Sequence, residues 1–258
     1  MKSPKSILIT GASSGIGEAL ARRYAAPSIS LALTGRDLGR LEAVAEECRK
    51  RGASVTLETI DVQDRTRIAA WIKTVDDASP LDLVIANAGI SAGTGGSGET
   101  AEQARKIMAV NVEGVFNTLL PAVELMKPRR SGQIAIMSSL AGFRGFPGAP
   151  AYCAGKAAVR LWGESLRGSL IADGIGVSVI CPGFVRSRMT AVNDFPMPLL
   201  MDGARAAQII QRGLARNRAR IAFPFRLYAV VWLLAALPPL LIDPLLRRLP
   251  RKGQAPVQ

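Results

Sequence analysis

The sequence predicts an α/β fold: a doubly wound parallel sheet of about seven strands with helices on both faces, followed by a hydrophobic C-terminal extension. Three observations predict it. Short apolar runs of strand length alternate with longer amphipathic segments, which is the pattern of βαβ units. A glycine-rich loop joins the first apolar run to the first amphipathic segment, the point where such sheets bind ligands. No linker or repeat interrupts the alternation before residue 220, so one large domain accounts for the chain. Residues 1–223 are expected to form that domain and residues 224–258 the extension.

The elements follow in order. The apolar runs 6–10, 30–34, 54–59, 81–86, 133–138, 176–181 and 221–223 read as buried strands. The amphipathic segments 15–25, 37–51, 64–76, 101–126, 152–171 and 202–215 read as helices. The long segment 101–126 is expected to break near Asn111. Two loops stand out. Residues 91–98 (SAGTGGSG) directly follow a strand, and residues 188–201 carry Pro196 and Pro198 among apolar side chains. The second follows the sixth strand and is a candidate substrate lid.

Composition removes several chemistries. Of 258 residues 48% are hydrophobic and 21% charged, which describes a globular chain. There is no histidine, so Ser-His-Asp and Cys-His nucleophiles, histidine-ligated zinc and a histidine base are excluded. Cys48, Cys153 and Cys181 are odd in number and far apart. They predict neither a metal site nor a disulfide framework, and they fit a reducing, cytoplasmic setting. The N-terminus lacks the pattern of a secretory signal, because the apolar run ends at once in Thr10-Gly11.

The loop Thr10–Gly17 reads TGASSGIG. Glycine permits a tight turn and close approach of phosphate to the backbone, and the following helix start offers free amides to an anion. Its spacing is G-x-x-x-G-x-G without a following Gly-Lys-Ser/Thr, which excludes a nucleoside triphosphate P-loop and points to a dinucleotide. The second strand ends in Gly35-Arg36, where an NAD site usually places an acid for the ribose 2′-hydroxyl. A guanidinium there suits the 2′-phosphate of NADP(H) over NAD(H), and Ser13 could add a hydroxyl. The alternative is that Arg36 is a solvated residue at a helix start, paired with Asp37.

Thr10–Gly17, Asn87-Ala88-Gly89, Asn111, Ser138-Ser139, Tyr152-x-x-x-Lys156 and Pro182-Gly183 occur in this order. With them the chain resembles the short-chain dehydrogenases/reductases over about residues 5–223, a Rossmann-like fold. The resemblance implies an oxidoreductase that interconverts a carbonyl and an alcohol by hydride transfer. It implies Ser139, Tyr152, Lys156 and Asn111 as catalytic residues. Tyr152 and Lys156, four apart on a helix, share one face. A nearby ammonium favours the phenolate, so Tyr152 can serve as general acid and base, while Lys156 also holds the nicotinamide ribose. Ser139 would orient the substrate carbonyl, and Ser138 should face the other way. Asn111 would hold a water near the lysine, or simply kink the helix. Cofactor contacts are implied for Gly11, Ser13, Ser14, Gly15, Ile16, Gly17 and Arg36. They are implied also for Asp61, Val62, Asn87, Ala88, Gly89, Pro182, Gly183, Val185 and Ser187. Ser187 stands where the family often has threonine, and Gly155 where it often has serine. The intact Ser-Tyr-Lys set disfavours the alternative of a non-enzymatic NADP-binding regulator.

Phe143, Phe146, Phe184 and Phe195, with nearby Met and Leu residues, suggest an apolar, lipid- or steroid-like substrate. The net charge of +13 is uneven: residues 216–258 hold seven arginines and one lysine against Asp243 alone. The apolar run 227–237 is too short to span a bilayer and ends in Pro238-Pro239. Its alternatives are an interfacial membrane contact, with Tyr228, Trp232 and flanking arginines, or a buried extension that packs on the domain or across an oligomer interface. No aromatic-interleaved basic motif supports nucleic-acid binding. A homodimer or homotetramer is implied by the resemblance.

Overall fold

The computed structural model describes residues 4–91, 99–193 and 195–246. Seven parallel strands form one sheet in the order β3-β2-β1-β4-β5-β6-β7. They are β1 (Ser6–Thr10), β2 (Ser30–Gly35), β3 (Ser54–Thr59), β4 (Leu83–Ala86), β5 (Gly132–Met137), β6 (Ile175–Pro182) and β7 (Arg220–Phe223). Each lies within two residues of its predicted position, because continuous apolar runs mark strands covered on both faces.

Alternation inside those strands builds two cores. Ile7 and Ile9 of β1 face one side with Leu31 and Leu33. Leu8 and Ala32 face the other. Helices α1 (Gly15–Tyr24), α2 (Leu38–Lys50) and α8 (Gly203–Ala215) cover the first side. Helices α3 (Arg65–Ala78), α5 (Gly114–Arg129) and α6 (Pro150–Leu170) cover the second. Two starts are fixed by carboxylate caps: Asp37 accepts from Arg40 N and Asp64 from Arg67 N, each at 3.0 Å. On the second side Arg129 forks onto Asp76 through two 2.8 Å bonds, joining α5 to α3.

The expected break near Asn111 is instead a continuous wider turn. Helix α4 (Ala101–Met108) runs through a π-helical turn, Ala109–Glu113, directly into α5. The loop after β6 contains a short helix, α7 (Arg188–Ala191). The main chain on either side of it is tied together, with Arg186 N donating to Met201 O and Met201 N to Phe184 O. Beyond β7 lie α9 (Phe225–Ala236) and α10 (Pro239–Leu246), which meet at Pro238-Pro239. Strand order reverses between β1 and β4, so the loops leaving these two strands open the crevice where ligands bind in such sheets.

Candidate active site

The glycine loop leaves β1 with Gly11 at φ +65°. A Cβ on Gly11 would lie 2.8 Å from Ala88 Cα, and one on Gly17 would lie 2.3 Å from Gly11 O. No larger residue fits either place. Asn87 locks the loop: its Nδ2 donates to Thr10 O and Gly11 O at 3.0 and 3.1 Å. Thr10 Oγ1 in turn accepts from the amides of Asn87 and Ala88, both at 3.1 Å. The start of α1 therefore presents its first-turn amides, Gly15, Ile16 and Gly17, at a fixed place. Its N-cap Ser14 makes no side-chain bond to them. This cradle fits a pyrophosphate.

Beside it, Ser13 lies against Gly35, whose Cβ would sit 3.0 Å from Ser13 Oγ. Arg36 is exposed and forms no hydrogen bond or ion pair among the described residues. Its expected alternative partner Asp37 is engaged elsewhere, capping α2 and pairing with Arg40 at 2.7 Å. Arg40 itself escaped the sequence reading. With Arg22, Arg23, Arg51, Arg186 and Arg188 it lines a cleft of about 610 Å³ that includes Ser13, Ser14 and Gly15. Asp61 folds back on Gln63, accepting from its amide at 3.0 Å. Val62 is buried with Ile90 and Ile107, in the cluster against which Ala88 and Tyr152 pack.

Ser139 and the pair Tyr152/Lys156 come from different elements. Ser138 and Ser139 follow β5 and make different contacts. Ser138 Oγ donates to Lys156 O at 2.7 Å and braces α6, while the Ser139 hydroxyl lies against the Tyr152 phenol. Ser139 Oγ also reaches Pro182 O at 3.4 Å and accepts from Ala141 N at 3.1 Å. Lys156 is buried, with Nζ donating to Met137 O at 2.8 Å and lying 5.8 Å from the Tyr152 ring centre. Gly89 keeps this corner open, since its Cβ would stand 3.2 Å from both Lys156 Nζ and Asn111 Oδ1.

Electrostatics here differ from the simple expectation. Burial pushes the Tyr152 phenol above its ordinary value, with Ser139 pulling weakly the other way. Burial also brings Lys156 down to about 8. Among the chain's own groups, desolvation therefore outweighs the expected help of the ammonium to the phenolate. Asn111 does not float free in its turn. Its Oδ1 accepts from Ile90 N at 2.8 Å and its Nδ2 donates to Ile90 O at 2.9 Å. The side chain thus ties the π-turn to the loop that follows β4.

The segment Pro182–Ser187 closes the far side. Gly183 N donates to Phe223 O at 2.7 Å, and Val185 is buried. Ser187 caps α7 reciprocally with Thr190, a use that its sequence position did not suggest. Phe184 and Phe195 meet edge to face at 6.0 Å. Of the two loops that stand out in the sequence, the first lies outside the described residues from 92 to 98. Glu99 is a further residue that the sequence reading missed. The N-cap of α6, Ala149, supplies no side-chain bond; Glu99 does so from 52 residues away, accepting from Ala151 N at 2.9 Å. No pattern of adjacent residues could announce such a cap.

Comparison with known proteins identifies the fold and the family. The family model for short chain dehydrogenases matches residues 5–195. An uncharacterized oxidoreductase of Myxococcus xanthus is 38% identical over 246 residues, 95% of this chain and 97% of its own. That likeness takes in α9, beyond the end of the family match. A short-chain dehydrogenase from Sphingobium yanoikuyae, solved in complex with NADPH, superposes with a TM-score of 0.80 at 26% identity, covering 97% of this chain and 98% of that one. A Burkholderia phymatum enzyme in complex with NAD has the same fold, with a TM-score of 0.83 at 24% identity and 98% of both chains covered. The chain belongs to the short-chain dehydrogenase/reductase family and is an oxidoreductase of that class.

Proposed function

We propose that this oxidoreductase uses NADP(H) to interconvert a carbonyl and an alcohol on a small apolar molecule, with Tyr152 as general acid and base. The observation that carries the reading is the convergence of Ser139, Tyr152 and Lys156 from two separate elements at the mouth of the glycine-loop crevice. When bound, the cofactor supplies or accepts the hydride. In reduction, the Ser139 hydroxyl donates to the substrate carbonyl oxygen and sets its position. Tyr152 gives that oxygen a proton. The Lys156 ammonium steadies the phenolate left behind, and oxidation runs the same transfers in reverse. Asn111 supports Lys156 by holding the Ile90 turn beside it. Arg36 and Ser13 would hold a 2′-phosphate, and Asp37 is drawn away from the ribose by Arg40, which supports NADP(H) over NAD(H).

Paired fluorescence titrations with NADPH and NADH test the cofactor reading. Clear preference for NADPH, lost in Arg36→Gln, is expected; equal affinity for NADH would overturn it. Tyr152→Phe should bind NADPH normally and lose turnover, and full turnover would remove Tyr152 from the mechanism.

The apolar substrate and a lipid surface belong to the same reading. On α9 and α10, Phe225, Val230, Trp232, Leu233, Leu240 and Leu241 are all exposed, close to the arginine-rich end of the sequence. No helix among the described residues is long and apolar enough to cross a membrane. This surface fits interfacial docking on anionic lipid. Flotation with phosphatidylglycerol vesicles should capture the protein, and Trp232→Glu with Leu233→Glu should abolish capture. Exposed Leu120 and Leu161 on α5 and α6 offer a separate face for self-association.

A further inference from the structure

A second space, an open groove of about 740 Å³, runs along another face of the catalytic helix. Tyr152 and Lys156 face the site described above. Cys153, Ala157 and Arg160, on another face of α6, look into this second space. Its other walls come from the loop after Ser139, with Phe143 and Phe146, and from the C-terminal helices, with Ala235 and Leu246. Ser139, Tyr152 and Lys156 do not line it. Its size is that of a small-molecule site.

Two arginines and one carboxylate, that of Asp243, line this largely apolar space, and the arginines differ. Arg160 is fully engaged. It donates to Gly142 O at 3.1 Å, pairs with Glu164 at 3.1 Å and lies over the Phe143 ring at 4.5 Å. Arg144 is only 16% exposed, yet its contacts are a 3.4 Å bond to Leu237 O and a 3.7 Å pair with Asp243, itself 51% exposed. Both lie at the outer limit for such contacts. A guanidinium withdrawn this far from water calls for a closer anion. Residues 247–258 add four basic and no acidic side chains, so the rest of the chain has the wrong sign. The apolar walls in turn call for a hydrocarbon. The helix that contributes Leu246 also exposes Leu240 at 85% and Leu241 at 65%, an apolar approach for an alkyl chain.

We propose that this groove binds a single-chain anionic amphiphile of the long-chain carboxylate class. The alkyl chain lies along Phe143, Phe146, Ala157 and Leu246, and the carboxylate pairs with Arg144. This site is separate from the cofactor crevice, and it assigns Phe143 and Phe146, which the sequence suggested for the substrate, to a second ligand.

The test is calorimetry on the full-length protein with dodecanoate below its micelle concentration, against dodecan-1-ol and dodecyltrimethylammonium. Dodecanoate should bind saturably and about tenfold or more tighter than either control. Arg144→Gln should remove that advantage while leaving the alcohol unchanged. Ala157→Phe, which fills the groove, should weaken both ligands, and a melting curve on each variant confirms that it is folded. NADPH affinity is measured in the same samples and should be unaffected by dodecanoate. Equal binding of the cationic or neutral amphiphile, an undiminished Arg144→Gln, or displacement of NADPH would each overturn the proposal. Absence of NADPH binding in the wild-type protein would count against the cofactor reading alone.

Discussion

Lys156 is held away from water against the carbonyl of Met137, and so it gives up its proton more easily than an exposed lysine. Its pKa near 8 sets a pH signature. The charged form, which steadies the tyrosinate, is present below that value and lost above it. Tyr152 is shifted upward and stays a phenol, able to donate, across the same range. Carbonyl reduction should therefore be level through neutral pH and fall as pH passes about 8. Initial rates across pH measure this. Arginine does not deprotonate in proteins, so Lys156→Arg should turn over more slowly but lack the fall. At this scale the sequence was most informative where residues sit in local register. The four-residue spacing of Tyr152 and Lys156 placed both on one helix, α6. Arg40 was invisible because its approach to the glycine loop depends on how α2 packs, and a string of residues does not show that.

Elements differ in how far a sequence can describe them. The seven strands were legible because burial on both faces leaves an apolar run. The π-turn at Asn111 was legible only as a disturbance, because nothing in residue spacing separates a broken helix from one wider turn. The α6 start was placed two residues late for a related reason. Tyr152 looked like the beginning, but Pro150 opens the helix and its cap comes from a distant carboxylate. Glu99→Ala should destabilise the protein by about 1 kcal/mol, lowering its melting temperature by a few degrees, about 2–4 °C for a chain of this size. Glu99→Gln keeps an acceptor oxygen and should recover most of that loss. Because this cap holds the turn that carries Tyr152, kcat should fall in Glu99→Ala more than the affinity for NADPH. Differential scanning calorimetry with parallel cofactor titration distinguishes the two effects.

Across the whole molecule, charge is concentrated in two places. The C-terminal excess was plain in the sequence. The second concentration, six arginines around the start of α1, is assembled from four separate stretches and emerges only on folding. Several are partly neutralised, as with Arg22 by Glu18 and Glu47 and Arg186 by Asp202. A cleft of one dominant sign focuses its field on an incoming anion, and salt screens that attraction. NADPH carries more negative charge than NADH, so its affinity should fall more steeply with added sodium chloride. Titrations at several ionic strengths measure this, and Arg188→Gln should flatten the NADPH slope.

Glu164 of α6 also pairs with Arg220 of β7, and Arg220 bonds the Tyr228 hydroxyl of α9 at 3.0 Å. Phe143, from the loop after Ser139, meets Tyr228 edge to face at 5.4 Å. The last strand, the catalytic helix and the first C-terminal helix are thus keyed together by one knot of side chains. For anyone exchanging tails between relatives, the seam belongs before Arg220 and not after Phe223. A graft cut after the strand would keep the lock and discard its key.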